Sequence, residues 1–315
     1  MRAKVVIIGG GLMGCGIAAT AALAGNSVTI VETSATARET LPARLDSLLE
    51  ELSSNELIDL AQKAQATALI SCSGNLEESC AEAFFVIEAI VEKLDAKQSL
   101  FQELDRLLPA DIPIASNTSG LRITDIAKLT THPARTMTTH FWFPAHLVPL
   151  VEVVMSEYTD ERLAQWTYDT LSAWGKAPVL VRKDLPGQLA NRIFQAVIRE
   201  ASSIVEQGIA SPEDVDTAVK MGMGIRFPVW GPLEHADAVG IDLCASVQDT
   251  VLPGISSAKE ANSCFTGMLG RGELGFKTGK GFYDWSKKDM GALAAHRNAF
   301  IIHALKKIRS FKSSN

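Results

Sequence analysis

The apolar positions of the chain fall into two alternating patterns. Val5-Val6-Ile7-Ile8, Phe84-Phe85-Val86-Ile87 and Ile112-Pro113-Ile114-Ala115-Ser116 are short, nearly unbroken runs. Such runs predict strands buried on both faces. Ser27-Val28-Thr29-Ile30-Val31 reads as another strand, and Ala66 to Cys72 as a further one. Between the runs lie longer stretches with helical character: Ala-rich Ile17 to Ala24, Leu41 to Leu60 with Leu pairs among acids, and the segment through Leu108 that Pro109 closes. Gly74-Asn75-Leu76-Glu77-Glu78 reads as a turn into a short helix. Strand alternating with helix is what a parallel, doubly wound sheet requires, and ligands in such sheets bind beyond the strand carboxyl ends.

The pattern changes near residue 184. Val179-Leu180-Val181 is the last predicted strand, and Asp184-Leu185-Pro186-Gly187 offers a cap and a first-turn proline for a helix. Leu189, Ile193, Val197, Ala201 and Ile204 share one face of it. Ser211-Pro212-Glu213-Asp214 opens the next helix, and Asp289 to Phe311 forms a last one with a basic end at Lys306, Lys307, Arg309 and Lys312. Residues 1–183 and 184–315 are therefore read as two domains, the second all-helical.

The first predicted turn carries chemistry. Gly9-Gly10-Gly11-Leu12-Met13-Gly14 follows a strand directly and opens a helix. In that setting Gly9 permits the tight turn, Gly11 lets backbone approach a pyrophosphate, and Gly14 allows close helix-to-strand packing. The N-terminal N–H groups at Leu12 and Met13 then face the phosphates. Glu32 stands at the end of the second strand, where a carboxylate accepts from a ribose 2′-hydroxyl and repels a 2′-phosphate, so NAD is favoured over NADP. Arg38 is the nearest cation that could offset this preference.

A second constellation lies between Asn117 and Glu152. Ser119, His140 and Glu152 supply a hydroxyl, an imidazole and a carboxylate among strand-forming residues. Oxidising a secondary alcohol needs a base on the hydroxyl while hydride leaves the same carbon, and an imidazole oriented by a carboxylate suits that task. Ser119 can polarise the oxygen, or cap the helix near Leu121 in competition with Thr118.

Composition narrows the partners. The 315 residues carry a net charge of −6 and are 47% hydrophobic, enough for a large core but without the basic surface that nucleic acid or anionic membranes require. Small molecules are the expected ligands. Five cysteines, Cys15, Cys72, Cys80, Cys244 and Cys264, show no metal-site or disulfide spacing and fit free thiols in a reducing cytoplasm. The apolar run after Met1-Arg2-Ala3-Lys4 is too short for a signal core or a spanning helix.

With these residues placed, the chain resembles the L-3-hydroxyacyl-CoA dehydrogenase family. The resemblance rests on the glycine turn, Glu88-Ala89-Ile90-Val91-Glu92, Ala115-Ser116-Asn117-Thr118-Ser119, His140-Phe141 with Pro144, and Pro149-Leu150-Val151-Glu152-Val153-Val154. Asp184-Leu185-Pro186-Gly187 with Asn191-Arg192, and Lys277-Thr278-Gly279-Lys280-Gly281-Phe282-Tyr283, extend it over nearly the whole chain. It implies a Rossmann-type sheet, a helical C-terminal domain forming a homodimer, and NAD as cofactor. It also implies His140 as base, Glu152 as its orienter, Ser119 and Asn191 beside the substrate oxygen, and Glu92, Lys97, Asn117 and Lys277 toward the cofactor. No metal is implied.

Two departures bear on the substrate. Where the family has Asn before the proline, this chain has Phe143 in His140-Phe141-Trp142-Phe143-Pro144, so a polar contact expected beside the nicotinamide is missing or supplied elsewhere. Arg226, before Trp230-Gly231-Pro232, is more similar to the lambda-crystallin, L-gulonate and carnitine dehydrogenase branch, and a guanidinium there suits a free carboxylate. Three readings follow: a dehydrogenase of 3-hydroxyacyl-CoA thioesters, the same chemistry on a small free 3-hydroxy acid held by Arg226, or a non-catalytic NAD-binding protein of the crystallin kind.

Overall fold

The computed structural model describes residues 3–312, with the side chains of 309–312 left out, so Met1, Arg2 and the side chains of Arg309 and Lys312 lie outside the described residues. The N-terminal part runs β1 (Lys4–Ile8), α1 (Leu12–Leu23), β2 (Ser27–Val31), α2 (Ala35–Ser54), α3 (Leu60–Leu69), β3 (Ile70–Ser73), α4 (Leu76–Cys80) and β4 (Ala83–Glu88). It continues with α5 (Leu94–Leu107), β5 (Ile114–Ser116), α6 (Ile123–Ile126), β6 (Thr136–Phe141), β7 (Leu150–Met155), α7 (Glu161–Ala173) and β8 (Ala177–Val181). The eight strands form one sheet in the order β3-β2-β1-β4-β5-β6-β7-β8. This is a Rossmann-type order with the nucleotide turn at its centre.

Both faces of the sheet are covered, which explains the unbroken apolar runs. Val5 and Ile7 enter the core shared with α1, α2 and α7, whereas Val6 and Ile8 enter the opposite core with Phe101 and Leu104 of α5 and Ile123 and Ile126 of α6. Alternate residues of one strand thus seed two cores. Burying side chains of this kind stabilises by about 1.5–3 kcal/mol each.

The structure corrects three expectations. The sheet is mixed: β7 runs antiparallel to β6, and β8 is parallel to β7. Only eight residues, 142–149, join β6 to β7, and a parallel return needs a crossover of a dozen or more. The strand expected over Ala66 to Cys72 is shorter, because α3 continues to Leu69. The helix expected to start at Asp184 begins instead at Ala190, as α8 (Ala190–Glu206). Gly187 and Gln188 have φ of 78° and 53°, which no helix accommodates. The Asp184 carboxylate, freed from capping, accepts from Thr124 N at 2.8 Å.

Contacts divide the chain into compact units 1–191 and 192–315. In the second, α8 is followed by α9 (Pro212–Ala218), α10 (Pro232–Val239), α11 (Ile241–Val251), α12 (Ser263–Gly270) and α13 (Met290–Lys312). Ser211 caps α9 and Pro212 occupies its first turn, as the sequence predicts. This unit is smaller and mostly helical, and no residue of α9 through α12 is buried. Val229 and Leu233 are each 81% exposed. A cavity of about 540 Å³, lined by Ile198, Val205, Phe265, Leu269, Phe282 and Trp285 among others, opens within the unit. No helix among the described residues is long and apolar enough to cross a membrane.

Candidate active site

At the β1–α1 turn the glycines are required by geometry. Gly9 has φ of 108°, and a Cβ on Gly14 would lie 1.9 Å from the Gly9 carbonyl oxygen. At Gly11, by contrast, a Cβ would meet nothing within 4 Å, which leaves open space beside the backbone. Gly11 is the N-cap of α1 and offers no side-chain cap, so the first N–H groups of the helix, at Leu12, Met13 and Gly14, are available to an anion. Glu32 lies just past β2. Its Oε2 accepts from Gly10 N and its Oε1 from Ser34 N, both at 3.0 Å, and each oxygen keeps a lone pair for a ribose hydroxyl. Arg38 donates to the carbonyls of Glu32 and Thr33. The cradle suits a dinucleotide.

The second constellation is assembled by strand register. His140 and Glu152 are directly opposed in the antiparallel β6–β7 pair, so their side chains share a face. Nδ1 of His140 lies 2.7 Å from Glu152 Oε2, and Nε2 lies 3.1 Å from Ser119 Oγ. A carboxylate on Nδ1 demands a proton there, which leaves the lone pair on Nε2, toward Ser119. His140 is 5% exposed and Glu152 is wholly buried.

Glu152 is held by four donors. Oε2 also accepts from Trp142 Nε1 at 3.0 Å, while Oε1 accepts from Leu189 N at 2.9 Å and Ala190 N at 2.8 Å. Burial alone would push the Glu152 carboxyl up, but the His140, Ala190, Trp142 and Leu189 hydrogen bonds outweigh it and hold the carboxyl down at about 2. The backbone around Leu189 therefore serves the site, which the displaced start of α8 makes possible.

Ser119 is exposed, and its turn is fixed from behind. Neither Thr118 nor Ser119 caps a helix: the Thr118 hydroxyl oxygen accepts from Leu121 N at 3.0 Å within the turn, and the helix starts later, at Ile123, with no side-chain cap from its N-cap residue Arg122. The Glu92 carboxylate accepts from Ser119 N and Gly120 N, both at 3.1 Å, and from the Thr118 hydroxyl. Burial raises the Glu92 carboxyl, yet the Thr118, Gly120 and Lys97 contacts bring it below its usual range. Lys97 is 1% exposed and pairs with buried Glu88 at 2.5 Å and with Glu92 at 3.3 Å. Asn117 Oδ1 accepts from Phe141 N at 2.8 Å, tying the turn to β6, and Asn191 Nδ2 reaches the Ser119 carbonyl at 3.5 Å.

Ser119, His140, Glu152, Asn117 and Asn191 are thus in one neighbourhood, and Glu92 with Lys97 supports it. Arg226 and Lys277 belong to the second unit; both are exposed, and Arg226 Nε donates to the Gly222 carbonyl at 3.1 Å. Sequence reasoning missed Trp142, Glu88, Gln188 and Lys176. Gln188 Nε2 donates to the Thr118 carbonyl at 2.9 Å. Lys176 Nζ donates to the Ala145 and Val148 carbonyls of the β6–β7 connection, and burial pushes its ammonium down to about 8. Only Trp142 carried a signal, its place two residues after His140.

Family models place these features in context. Residues 4–185 match the 3-hydroxyacyl-CoA dehydrogenase NAD-binding domain, and residues 187–285 match the C-terminal domain of the same enzymes. The chain belongs to the 3-hydroxyacyl-CoA dehydrogenase family. It is accordingly an NAD-dependent oxidoreductase that interconverts a 3-hydroxyl and a 3-keto group.

Relatives of this dehydrogenase span its whole fold. It is 36% identical over 286 residues to the "Probable 3-hydroxybutyryl-CoA dehydrogenase" of Bacillus subtilis, covering 90% of this chain and 98% of that protein. It is 30% identical over 301 residues to the 5-formyl-3-hydroxy-2-methylpyridine 4-carboxylate 5-dehydrogenase of Mesorhizobium japonicum, covering 94% and 95%. A crystal structure of a dehydrogenase of that name superposes with a TM-score of 0.89 at 28% identity, over 98% of both chains. The (S)-3-hydroxybutyryl-CoA dehydrogenase of Ralstonia eutropha superposes with a TM-score of 0.76 at 32% identity, over 91% of this chain and all of that one.

Proposed function

We propose that this dehydrogenase acts on a short 3-hydroxyacyl-CoA, with His140 as the proton acceptor, Glu152 as its orienter, and Ser119 and Asn191 at the substrate oxygen. The observation that carries the reading is His140 held between Glu152 at 2.7 Å and Ser119 at 3.1 Å. NAD, when bound, accepts the hydride at its nicotinamide ring. The substrate hydroxyl approaches Ser119 Oγ and His140 Nε2 together; Nε2 takes its proton, and Glu152 stabilises the imidazolium. In the reverse direction the same nitrogen returns the proton to the alkoxide. Gly9, Gly11, Leu12, Met13, Gly14 and Glu32 hold the dinucleotide. Glu92, Lys97, Asn117 and Lys277 are assigned to the cofactor side on the family pattern, Glu92 through its hold on the 118–120 turn and Lys97 only indirectly, through its pairing with Glu92.

A second reading, a small free acid anchored by Arg226, is favoured by one observation. The pyridine-carboxylate dehydrogenase superposes at 0.89, against 0.76 for the 3-hydroxybutyryl-CoA enzyme. NADH oxidation with acetoacetyl-CoA, set beside NAD reduction with a panel of free 3-hydroxy acids, separates the two. We expect turnover of the thioester; turnover of free acids alone, abolished by Arg226→Leu, would overturn it.

The helical segment from residue 184 onward is proposed as the substrate and pairing domain, in a protein of the cytoplasm. Its α9 to α12 bury no residue of their own and leave Val229 and Leu233 exposed, so they gain a core only by meeting a second copy. Sedimentation should give a dimer, and Leu233→Glu should shift it toward monomer; a wild-type monomer at micromolar concentration would refute the pairing.

A further inference from the structure

The four donors on Glu152 are more than orientation of His140 requires. Leu189 N and Ala190 N already anchor Oε1, and His140 Nδ1 alone fixes Oε2. The Trp142 indole nevertheless spends its single N–H on Oε2, 3.0 Å away, the same oxygen that faces the imidazole. Its ring lies against His140, with centroids 5.7 Å apart and planes tilted by 54°.

Resting on the reading of His140 as the base, we propose that Trp142 is a positioning residue that shares Glu152 Oε2 with His140 and thereby sets the pH range over which the imidazole takes the proton in oxidation and returns it in reduction. An N–H on Oε2 draws negative charge away from Nδ1. The imidazolium formed in oxidation is then stabilised less, and the neutral ring that accepts the substrate proton is favoured. The other charged groups around His140 are spoken for. Glu92 and Lys97 pair behind the Ser119 turn, Glu88 pairs with Lys97, and Lys176 stands 5.9 Å from the Phe141 ring, bonded to backbone carbonyls. Trp142 is thus the group whose removal changes the charge at Oε2 while leaving these in place.

The test compares wild type with Trp142→Phe, which keeps an aromatic ring and removes the donor. The pH profiles of kcat/KM are measured in both directions, and the His140 Cε1–H resonance is titrated by NMR, assigned by its loss in His140→Gln. In Trp142→Phe the acid limb of oxidation, the alkaline limb of reduction and the NMR midpoint should all move up by about half a unit to one unit, a roughly three- to tenfold change in proton equilibrium. Oxidation near neutral pH falls while reduction at alkaline pH rises. Trp142→Gln, which retains a donor nitrogen at the ε position without the ring, should return the midpoint toward wild type. Equal loss in both directions with unmoved limbs and an unmoved midpoint would overturn the proposal and leave Trp142 as packing alone. Absence of wild-type turnover on hydroxyacyl substrates would instead refute the functional reading, and the NMR titration would still decide the role of Trp142.

Discussion

Replacing His140 with Gln is expected to lower turnover by roughly 10²- to 10⁴-fold, the usual contribution of a positioned general base. Among the described residues, neither of the carboxylates beside the Ser119 turn is free to take its place. Glu152, the nearest carboxylate, is wholly buried with both oxygens engaged by donors, and Glu92 is committed to the backbone of the Ser119 turn. NADH affinity should change little, because the dinucleotide cradle at Gly9 to Gly14 and Glu32 is built from other elements. Steady-state kinetics and NADH fluorescence titration read the two effects separately. Turnover within tenfold of wild type would sink the assignment of His140 as the base.

The second large effect is expected at Glu152. All four of its partners donate: His140 Nδ1, Trp142 Nε1, Leu189 N and Ala190 N. An amide at this position has one accepting atom and one donating group. Two backbone N–H groups and an indole cannot reverse, whereas an imidazole can. In Glu152→Gln the amide oxygen therefore stays on the two backbone donors Leu189 and Ala190, the NH₂ faces His140 at the cost of the Trp142 N–H losing its acceptor, and the ring adopts the tautomer with its proton on Nε2. That atom is then no longer a base, and a loss of roughly 10³- to 10⁴-fold is expected, as when a triad carboxylate becomes an amide.

Stability follows the same carboxylate. Its folded value of about 2 lies below the unfolded value of about 4.3, so the native state holds the anion more tightly. The contribution is complete above about pH 4.3 and is lost as pH falls toward 2; it is roughly 3 kcal/mol at neutral pH. Denaturant titrations of wild type and Glu152→Gln should converge across that window. A stability gap that persists unchanged at pH 2 would show that the carboxylate charge is not what stabilises the fold.

Lys97 illustrates where one-dimensional reading stops. Its position on α5 suits either a solvated helix face or a cofactor contact, and spacing cannot tell a third state from these. In the fold it is 1% exposed against Glu88, a residue that the strand run presents merely as the end of β4. Removing Lys97 leaves the buried Glu88 carboxylate without its opposite charge, at a cost on the order of 3–5 kcal/mol, whereas removing Glu88 leaves Lys97 its second partner, Glu92. The antiparallel return from β6 to β7 is a different case. The eight-residue connection was present in the sequence and is too short for a crossover, so the signal existed once both strand ends were known.

The sequence by itself determined what depends on neighbouring residues. The turn at Gly9 to Gly14, Glu32 at the end of β2, the alternation that builds two cores and the cap at Ser211 all act within a few positions of themselves. Backbone sterics, strand periodicity and helix capping are local, so spacing reports them directly. Asn117 to Glu152 was legible as a set of residue types suited to moving a proton. Only the tertiary structure decided how they meet. The β6–β7 register sets His140 opposite Glu152, the 117–120 turn brings Ser119 to Nε2, and the late start of α8 delivers Leu189 and Ala190 to the far oxygen. Trp142 closes the carboxylate from a fourth side. These partners are separated by up to 38 positions along the chain, and a buried carboxylate recruits whichever donors the packed fold brings within 3 Å of it, a selection that distance in space makes and order in sequence does not.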